Sequence, residues 1–125
     1  MTHEPISVSF LDEFANAWNR HDVDAILSMM TPDCIFEASR GPEVKGTVYV
    51  GQDEVRRGIE EVFASFPDAR WNAPSHFIAG DRGVTEWVFT GTGPSGRVEV
   101  QGCDVFTFRD SKIAVKNSYR KQRTP

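Results

Sequence analysis

Arg97-Val-Glu-Val-Gln-Gly-Cys-Asp-Val-Phe-Thr-Phe108 and Lys112-Ile-Ala-Val-Lys-Asn-Ser-Tyr-Arg-Lys-Gln122 decide the fold. Both stretches alternate side-chain character with a period of two, so they read as two long strands joined by a tight turn. One face of the first strand carries Val98, Val100, Gly102, Asp104, Phe106 and Phe108. Asp104 is the misfit in that row, because a carboxylate among apolar neighbours is costly unless it is paired, hydrogen-bonded or neutralised. The other face, with Glu99, Gln101, Cys103, Val105, Thr107 and Arg109, is mixed and suits either water or a partner. Register decides the neighbours of Asp104. A two-residue loop at Asp110-Ser111 places it opposite Asn117, with Tyr119 further along that face. A bulge or a slip by one residue brings Lys116, Ser118 and Arg120 inward instead. The first register leaves room for a neutral acid, and the second makes an ion pair.

Upstream, the period changes to that of helices. From Ser9 to Arg20 the apolar residues Phe10, Leu11, Phe14, Ala15, Ala17 and Trp18 recur at helical spacing, with Phe10, Phe14 and Trp18 as one aromatic stripe. Asp22 suits the N-cap of a second short helix with Val23, Ile26, Leu27 and Met30 inward, closed by Thr31-Pro32-Asp33. Cys34 to Ala38 reads as a short strand, Ser39 to Gly46 as a mobile rim loop, and Thr47 to Val50 as a second short strand. Gly51 opens a third helix with Val55, Ile59, Val62, Phe63 and Phe66 inward and acids in its first turn. Gly58 inside that helix costs about 1 kcal/mol relative to Ala, which implies close packing.

From Ala69 the period is two again. Arg70 to Ala79 reads as a strand with Trp71, Ala73, Ser75 and Phe77 on one face, and Pro74 assigns it to an edge or a bulge. After the turn Gly80-Asp-Arg-Gly83, Val84 to Thr90 sets Trp87 and Phe89 opposite Val84, Glu86 and Val88, and Gly91 to Gly96 reads as a loop. Helices followed by an antiparallel meander of four strands mean an α+β fold, with three helices covering one face of a curved sheet and leaving a pocket. Val84, Val88, Val105 and Val115 on the opposite sheet face predict a homodimer.

The chain has 125 residues and a net charge of −4. That length suits one domain, residues 1–125. The charge balance argues against nucleic acid or an anionic membrane as partner, the basic tail being short. Cys34 and Cys103 sit within strand patterns and read as small buried residues rather than a disulfide or metal ligands. The N-terminal Met-Thr-His-Glu-Pro lacks the pattern of a signal peptide, and no apolar run approaches the ~20 residues of a membrane span. The expectation is a soluble cytoplasmic protein. His76 stands without a second ligand at metal spacing, so it reads as a surface or dimer-contact side chain. Glu37 and Glu86 are acid–base groups if they point into the pocket, but the row that Glu86 shares with Val84 and Val88 favours solvent or dimer-interface roles. There is no phosphate loop, nucleophile elbow or Cys–His pair.

The order of elements and several local patterns resemble the nuclear transport factor 2-like superfamily, nearest to its SnoaL-like polyketide cyclase and ketosteroid isomerase-like members. The matching pieces are Phe14-Ala-Asn-Ala-Trp18, His21-Asp-Val-Asp-Ala25, Pro32-Asp-Cys-Ile-Phe-Glu37, Gly51-Gln-Asp-Glu-Val55, Glu86-Trp-Val-Phe-Thr-Gly91 and Gly102-Cys-Asp-Val-Phe-Thr-Phe108 followed by Lys112-Ile113. The resemblance implies a cone-shaped cystatin-like fold, in which the N-terminal-half helices pack on a strongly curved, mainly antiparallel sheet. It favours the register that turns Lys116, Ser118 and Arg120 inward. Ketosteroid isomerases of this superfamily use an Asp base, a Tyr donor and a neutral Asp donor, and such an isomerase is the standard example of a carboxylic acid kept protonated in an apolar site. Here the neutral Asp falls on Asp104, the Tyr donor on Phe14 and the Asp base on Ala38, so two of three roles are missing. The acid that polyketide cyclases place on the last strand falls near Ser118. Of the Arg/Asp groups of limonene epoxide hydrolase-like members, only Asp104 has a counterpart.

The expected catalytic groups are Asp104, Arg120 and Lys116, and the expected ligand-binding groups are Phe14, Trp18, Phe36, Phe63, Val100 and Ser118, with no metal and no cofactor. The expected function is acid–base chemistry of the cyclase, isomerase or dehydratase type on an apolar oxygenated small molecule. A non-catalytic binding or dimerisation module of the same fold is the alternative.

Overall fold

A computed structural model describes residues 5–125. Met1–Glu4, on which the reading of a missing signal peptide partly rests, lie outside the described residues. The chain forms α1 (Val8–Asn19), α2 (Val23–Ser28), β1 (Met30–Glu37), β2 (Val48–Val50), α3 (Gly51–Ser65), β3 (Arg70–Ala79), β4 (Arg82–Gly93), β5 (Gly96–Arg109) and β6 (Lys112–Arg120). The strands make one six-stranded sheet in the order β2-β1-β6-β5-β4-β3. All pairings are antiparallel except β1 with β6, so the chain is α+β with three helices on a curved, mainly antiparallel sheet.

Local chemistry sets the element ends. Ser7 caps α1 by accepting from the Phe10 N–H at 3.1 Å, and Asp22 caps α2 by accepting from Ala25 N–H at 3.1 Å. Glu54 reaches back to the Val50 N–H at 3.0 Å, which satisfies a donor at the start of α3. Asn19 ties the end of α1 to β3 by exchanging hydrogen bonds with both backbone groups of Trp71. The core is the contact layer between helices and sheet, and Leu11, Phe14, Ile26, Ile59, Phe89, Phe106 and Ile113 are all at most 2% exposed.

Several element boundaries differ from the sequence reading. β1 begins at Met30 rather than Cys34, because α2 has already ended at Ser28. Pro32, which cannot donate to a ladder, sits where the β1–β6 pairing is interrupted between Met30 and Ile35. Gly91 to Gly96 is mostly strand, with only Pro94 and Ser95 in the turn. β3 is an edge strand bulged between Asn72 and Ser75, with Ala73 at φ 52° beside Pro74. That bulge exchanges the faces of the strand's second half. Trp71 points inward, whereas Phe77 pairs with Val84 on the outer face and is 56% exposed.

His76 takes the inward place that Phe77 vacates. Its side chain is 3% exposed, and its two ring nitrogens lie 2.7 Å from Thr85 Oγ1 and 2.6 Å from Asp12 Oδ1. It is a buried link between α1 and the sheet, not a surface residue. Glu86 is exposed on the outer face, while Glu37 is buried beside Lys45 Nζ at 3.5 Å. Cys34 is buried and Cys103 half-buried, and both are free thiols. Among the described residues no helix is long and apolar enough to cross a membrane.

Gly58 is required by contact. A Cβ there would stand 2.7 Å from the Tyr49 ring, which lies across α3. Gly58→Ala is expected to lower stability by about 1–3 kcal/mol from overpacking, more than the ~1 kcal/mol gained in helix propensity. Urea denaturation measures the loss, and Tyr49→Ala in the same chain is expected to turn it into a gain. Unchanged stability in the single variant would mean that the ring moves aside freely.

Candidate functional site

The last hairpin builds the floor of the site. Asp110 and Ser111 form a two-residue turn with φ of 54° and 60°, the left-handed pair that a type I′ hairpin requires. Phe108 pairs with Ile113, but Thr107 pairs with Val115, so Ala114 is an extra residue in β6. Beyond this bulge Phe106 faces Lys116, Asp104 faces Ser118 and Gly102 faces Arg120. The two-residue loop and the bulge therefore coexist, and Asn117 and Tyr119 turn to the outer face.

Asp104 is 6% exposed and its carboxylate accepts three hydrogen bonds. Lys116 Nζ donates to Oδ1 at 3.0 Å, Ser118 Oγ to Oδ1 at 2.6 Å, and Trp87 Nε1 to Oδ2 at 3.0 Å. Lys116 also donates to Ser118 Oγ at 2.8 Å, so the three side chains form a closed ring of contacts. Gly102 makes the indole contact possible. A Cβ there would lie 2.6 Å from the Trp87 ring, which rests on β5. Burial pushes the Lys116 ammonium below the ordinary lysine range. Asp104 opposes that effect and the Arg120 charge adds to it. The ammonium stands 4.3 Å from the Trp18 ring centroid and 4.8 Å from that of Phe36, within cation–π distance of both. Of its three N–H donors, two are used by Asp104 and Ser118.

Arg120 is half-buried, with its guanidinium 3.8 Å from the Phe89 ring centroid and 5.7 Å from that of Phe66. Burial holds it below the usual arginine value, against the pull of Asp104, and Arg40 pushes in the same direction as burial.

Above this floor lies a cavity of about 340 Å³. Trp18, Phe36, Tyr49, Phe66, Trp71 and Trp87 supply its aromatic lining. Lys116, Ser118 and Arg120 supply its floor, and Ser39, Arg40, Glu61 and Ser95 are among its polar lining. Of the groups expected from sequence, Trp18, Phe36, Lys116, Ser118 and Arg120 line the cavity. Asp104 stands behind Lys116, beside a void of only about 10 Å³ that Phe14 also borders. Three aromatic and aliphatic expectations need correction. Phe14 packs edge-on against Phe106 at 5.7 Å instead of reaching the cavity. Phe63 is taken up by Trp18 at 5.5 Å and by a 4.0 Å stack on His21. Val100 lines a neighbouring groove further along β5. Tyr49, Phe66, Trp71, Trp87 and Arg40 were not among the expected site residues. The inward alternation of Trp71 and Trp87 was a usable signal for two of them, whereas nothing local marks Arg40. Among the described residues no three His, Cys, Asp or Glu side chains cluster so as to hold a metal.

A family model of the SnoaL-like domain matches residues 11–116. Solved structures share the fold at low identity. A protein of Xanthomonas campestris pv. campestris provisionally assigned as a polyketide cyclase is 19% identical, with a TM-score of 0.79 over 91% of this chain and 89% of that one. A ketosteroid isomerase-like protein from Catenulispora acidiphila DSM 44928, solved with trimethylamine, is 16% identical, with a TM-score of 0.76 over 88% and 83%. TerC, co-crystallised with polyporic acid, is 21% identical, with a TM-score of 0.75 over 91% and 90%. No curated protein matches the chain.

The Lys116–Asp104 pair is buried enough for removal of one partner to cost more than removal of both. Lys116→Met and Asp104→Leu are each expected to destabilise by about 3–5 kcal/mol, because the survivor keeps its desolvation cost without its counter-charge. The double variant is expected to lose less than either single one. Urea denaturation of the four chains of this cycle gives the coupling, and additive losses would mean that the pair does not interact.

Proposed function

The chain belongs to the SnoaL-like domain family, and on that premise we propose that its cavity binds an apolar oxygenated small molecule and carries out acid–base chemistry on it without a cofactor. The observation that carries this reading is the ring of Lys116, Asp104 and Ser118 at the cavity floor. Two titratable groups in contact, one of them facing a cavity, are what proton transfer requires. Lys116 is the proton donor. Burial lowers the pKa of its ammonium, which makes it a stronger acid toward a ligand oxygen than a surface lysine is. Asp104 orients it and stabilises its charge, Ser118 fixes the geometry, and Arg120 holds the polar end of the ligand. Polarising a carbonyl in this way acidifies its α-hydrogen, which passes to Glu61, a carboxylate of the cavity lining, as Lys116 protonates the oxygen; the resulting enol is shared by isomerases, cyclases and dehydratases. Phe14 and Ala38, at the positions of the Tyr donor and the Asp base, argue against the steroid-isomerase mechanism.

A thermal-shift screen of oxygenated aromatic and alicyclic compounds is expected to yield stabilising ligands. Incubation of those ligands in D2O, followed by NMR, is expected to show deuterium exchange or turnover by wild type. Lys116→Gln should abolish that activity while ligands still bind, and the wild-type rate should fall as pH rises through the lowered Lys116 value. Binding without exchange or turnover for every ligand would make the protein a binding module. No stabilising ligand at all would remove the pocket reading.

The outer face of β3–β6 supports a homodimer. Phe77, Val84 and Val105 are in adjacent register there, beside the 53% exposed Tyr119 and the half-buried Val115. Light scattering on a size-exclusion column is expected to give twice the 14.0 kDa chain mass. Val105→Glu is expected to give the monomer, and a monomeric wild type would overturn this assignment.

A further inference from the structure

Three cationic side chains reach the cavity, Arg40, Lys116 and Arg120, against one carboxylate, Glu61. Two of these four charges are already spoken for: Lys116 by Asp104, and Glu61 by the Tyr49 hydroxyl, which donates to it at 2.8 Å. Arg120 is different. It is half-buried on two phenyl faces, and no hydrogen bond or ion pair joins its guanidinium to another described residue. Arg40 is exposed, and its side chain likewise has no such partner among the described residues. Their charges are close enough for each to be felt by the other. The groove adjoining the mouth adds Arg97, Lys121 and Arg123 against Glu99. In a chain of net charge −4 this is a local concentration of positive charge, not a reflection of composition.

A desolvated guanidinium whose N–H donors have no hydrogen-bonded acid is unfavourable, and its planar fork matches a carboxylate bidentately. We infer that the ligand is an organic anion, with an apolar ring portion among Trp18, Phe36 and Trp71 and a carboxylate on Arg120 assisted by Arg40. This inference rests on the pocket reading above and names the ligand class of that pocket. It also gives Arg120 and Lys116 separate tasks, one on the permanent charge and the other on the oxygen that reacts.

Matched pairs of aryl carboxylates and their primary amides, such as 2-naphthoate with 2-naphthamide and 4-cyclohexylbenzoate with its amide, test this by calorimetry on the full chain. The carboxylate is expected to bind about tenfold tighter than its amide or better, a preference that weakens with salt. Arg120→Gln is expected to bring each pair to within about twofold, with amide binding retained, and Arg40→Gln to reduce the preference in part. Should Arg120→Gln fail to fold, the exposed Arg40→Gln carries the same test. Equal binding of acid and amide by wild type, or a preference untouched in both variants, would overturn the anion inference while leaving the pocket reading in place. Absence of binding by both members of every pair would count against both.

Discussion

Ala114 is one residue without a partner, and the inward face of β6 depends on it. Side chains alternate along a strand, so an uninterrupted ladder from the Asp110-Ser111 turn would have aimed Asn117 and Tyr119 at the helices. The bulge reverses that parity beyond Thr107 and turns in Lys116, Ser118 and Arg120. It also sends Asn117 and Tyr119 outward, where Asn117 Nδ2 donates to the Tyr119 hydroxyl at 2.9 Å. One inserted residue therefore fixes both the chemistry of the cavity and the polarity of the opposite surface.

Burying a lysine and an aspartate together is an expensive use of the interior. The attraction between them repays the loss of hydration only when geometry is good and the remaining donors and acceptors are satisfied. Here the satisfaction is supplied by Ser118, by the Trp87 indole and by two aromatic faces. An aliphatic pair of similar volume would meet the needs of the core at lower desolvation cost. That contrast makes the pair informative about function rather than stability. The glycine at position 102 belongs to the same arrangement, since it is the absence of a side chain there that lets the indole lie down and reach Asp104.

Much of the architecture was legible in the sequence because period and punctuation agreed. The inward row from Val98 to Phe108, the capping residue Asp22 and the crowded Gly58 all behave as their neighbours imply. The site was legible in part. Asp104 stood out as a charge among apolar residues, and the resemblance to the superfamily selected the register that the residues alone left open. Where the reading missed, long-range geometry was the reason. Phe14 and Phe63 are apolar and inward, yet each is consumed by a neighbour that no local pattern identifies, and Val100 lines a different groove further along β5. His76 and Phe77 exchanged faces because a bulge at Ala73-Pro74 shifts parity, and Pro74 signals a bulge without giving its size. Arg40 sits in a loop whose path follows from two backbone bonds between distant residues, Thr47 to Arg40 and Ala38 to Thr47.

The interruption in β3 has a consequence beyond His76. A sheet that ends in a straight, fully bonded strand offers its free edge as a template for further strands, and repeated addition of that kind builds fibrils. In this sheet one margin is β2, only 3 residues long, and the other carries a proline and a kinked, left-handed alanine. Neither margin can guide a long incoming strand, so growth by edge-to-edge stacking is discouraged at both ends.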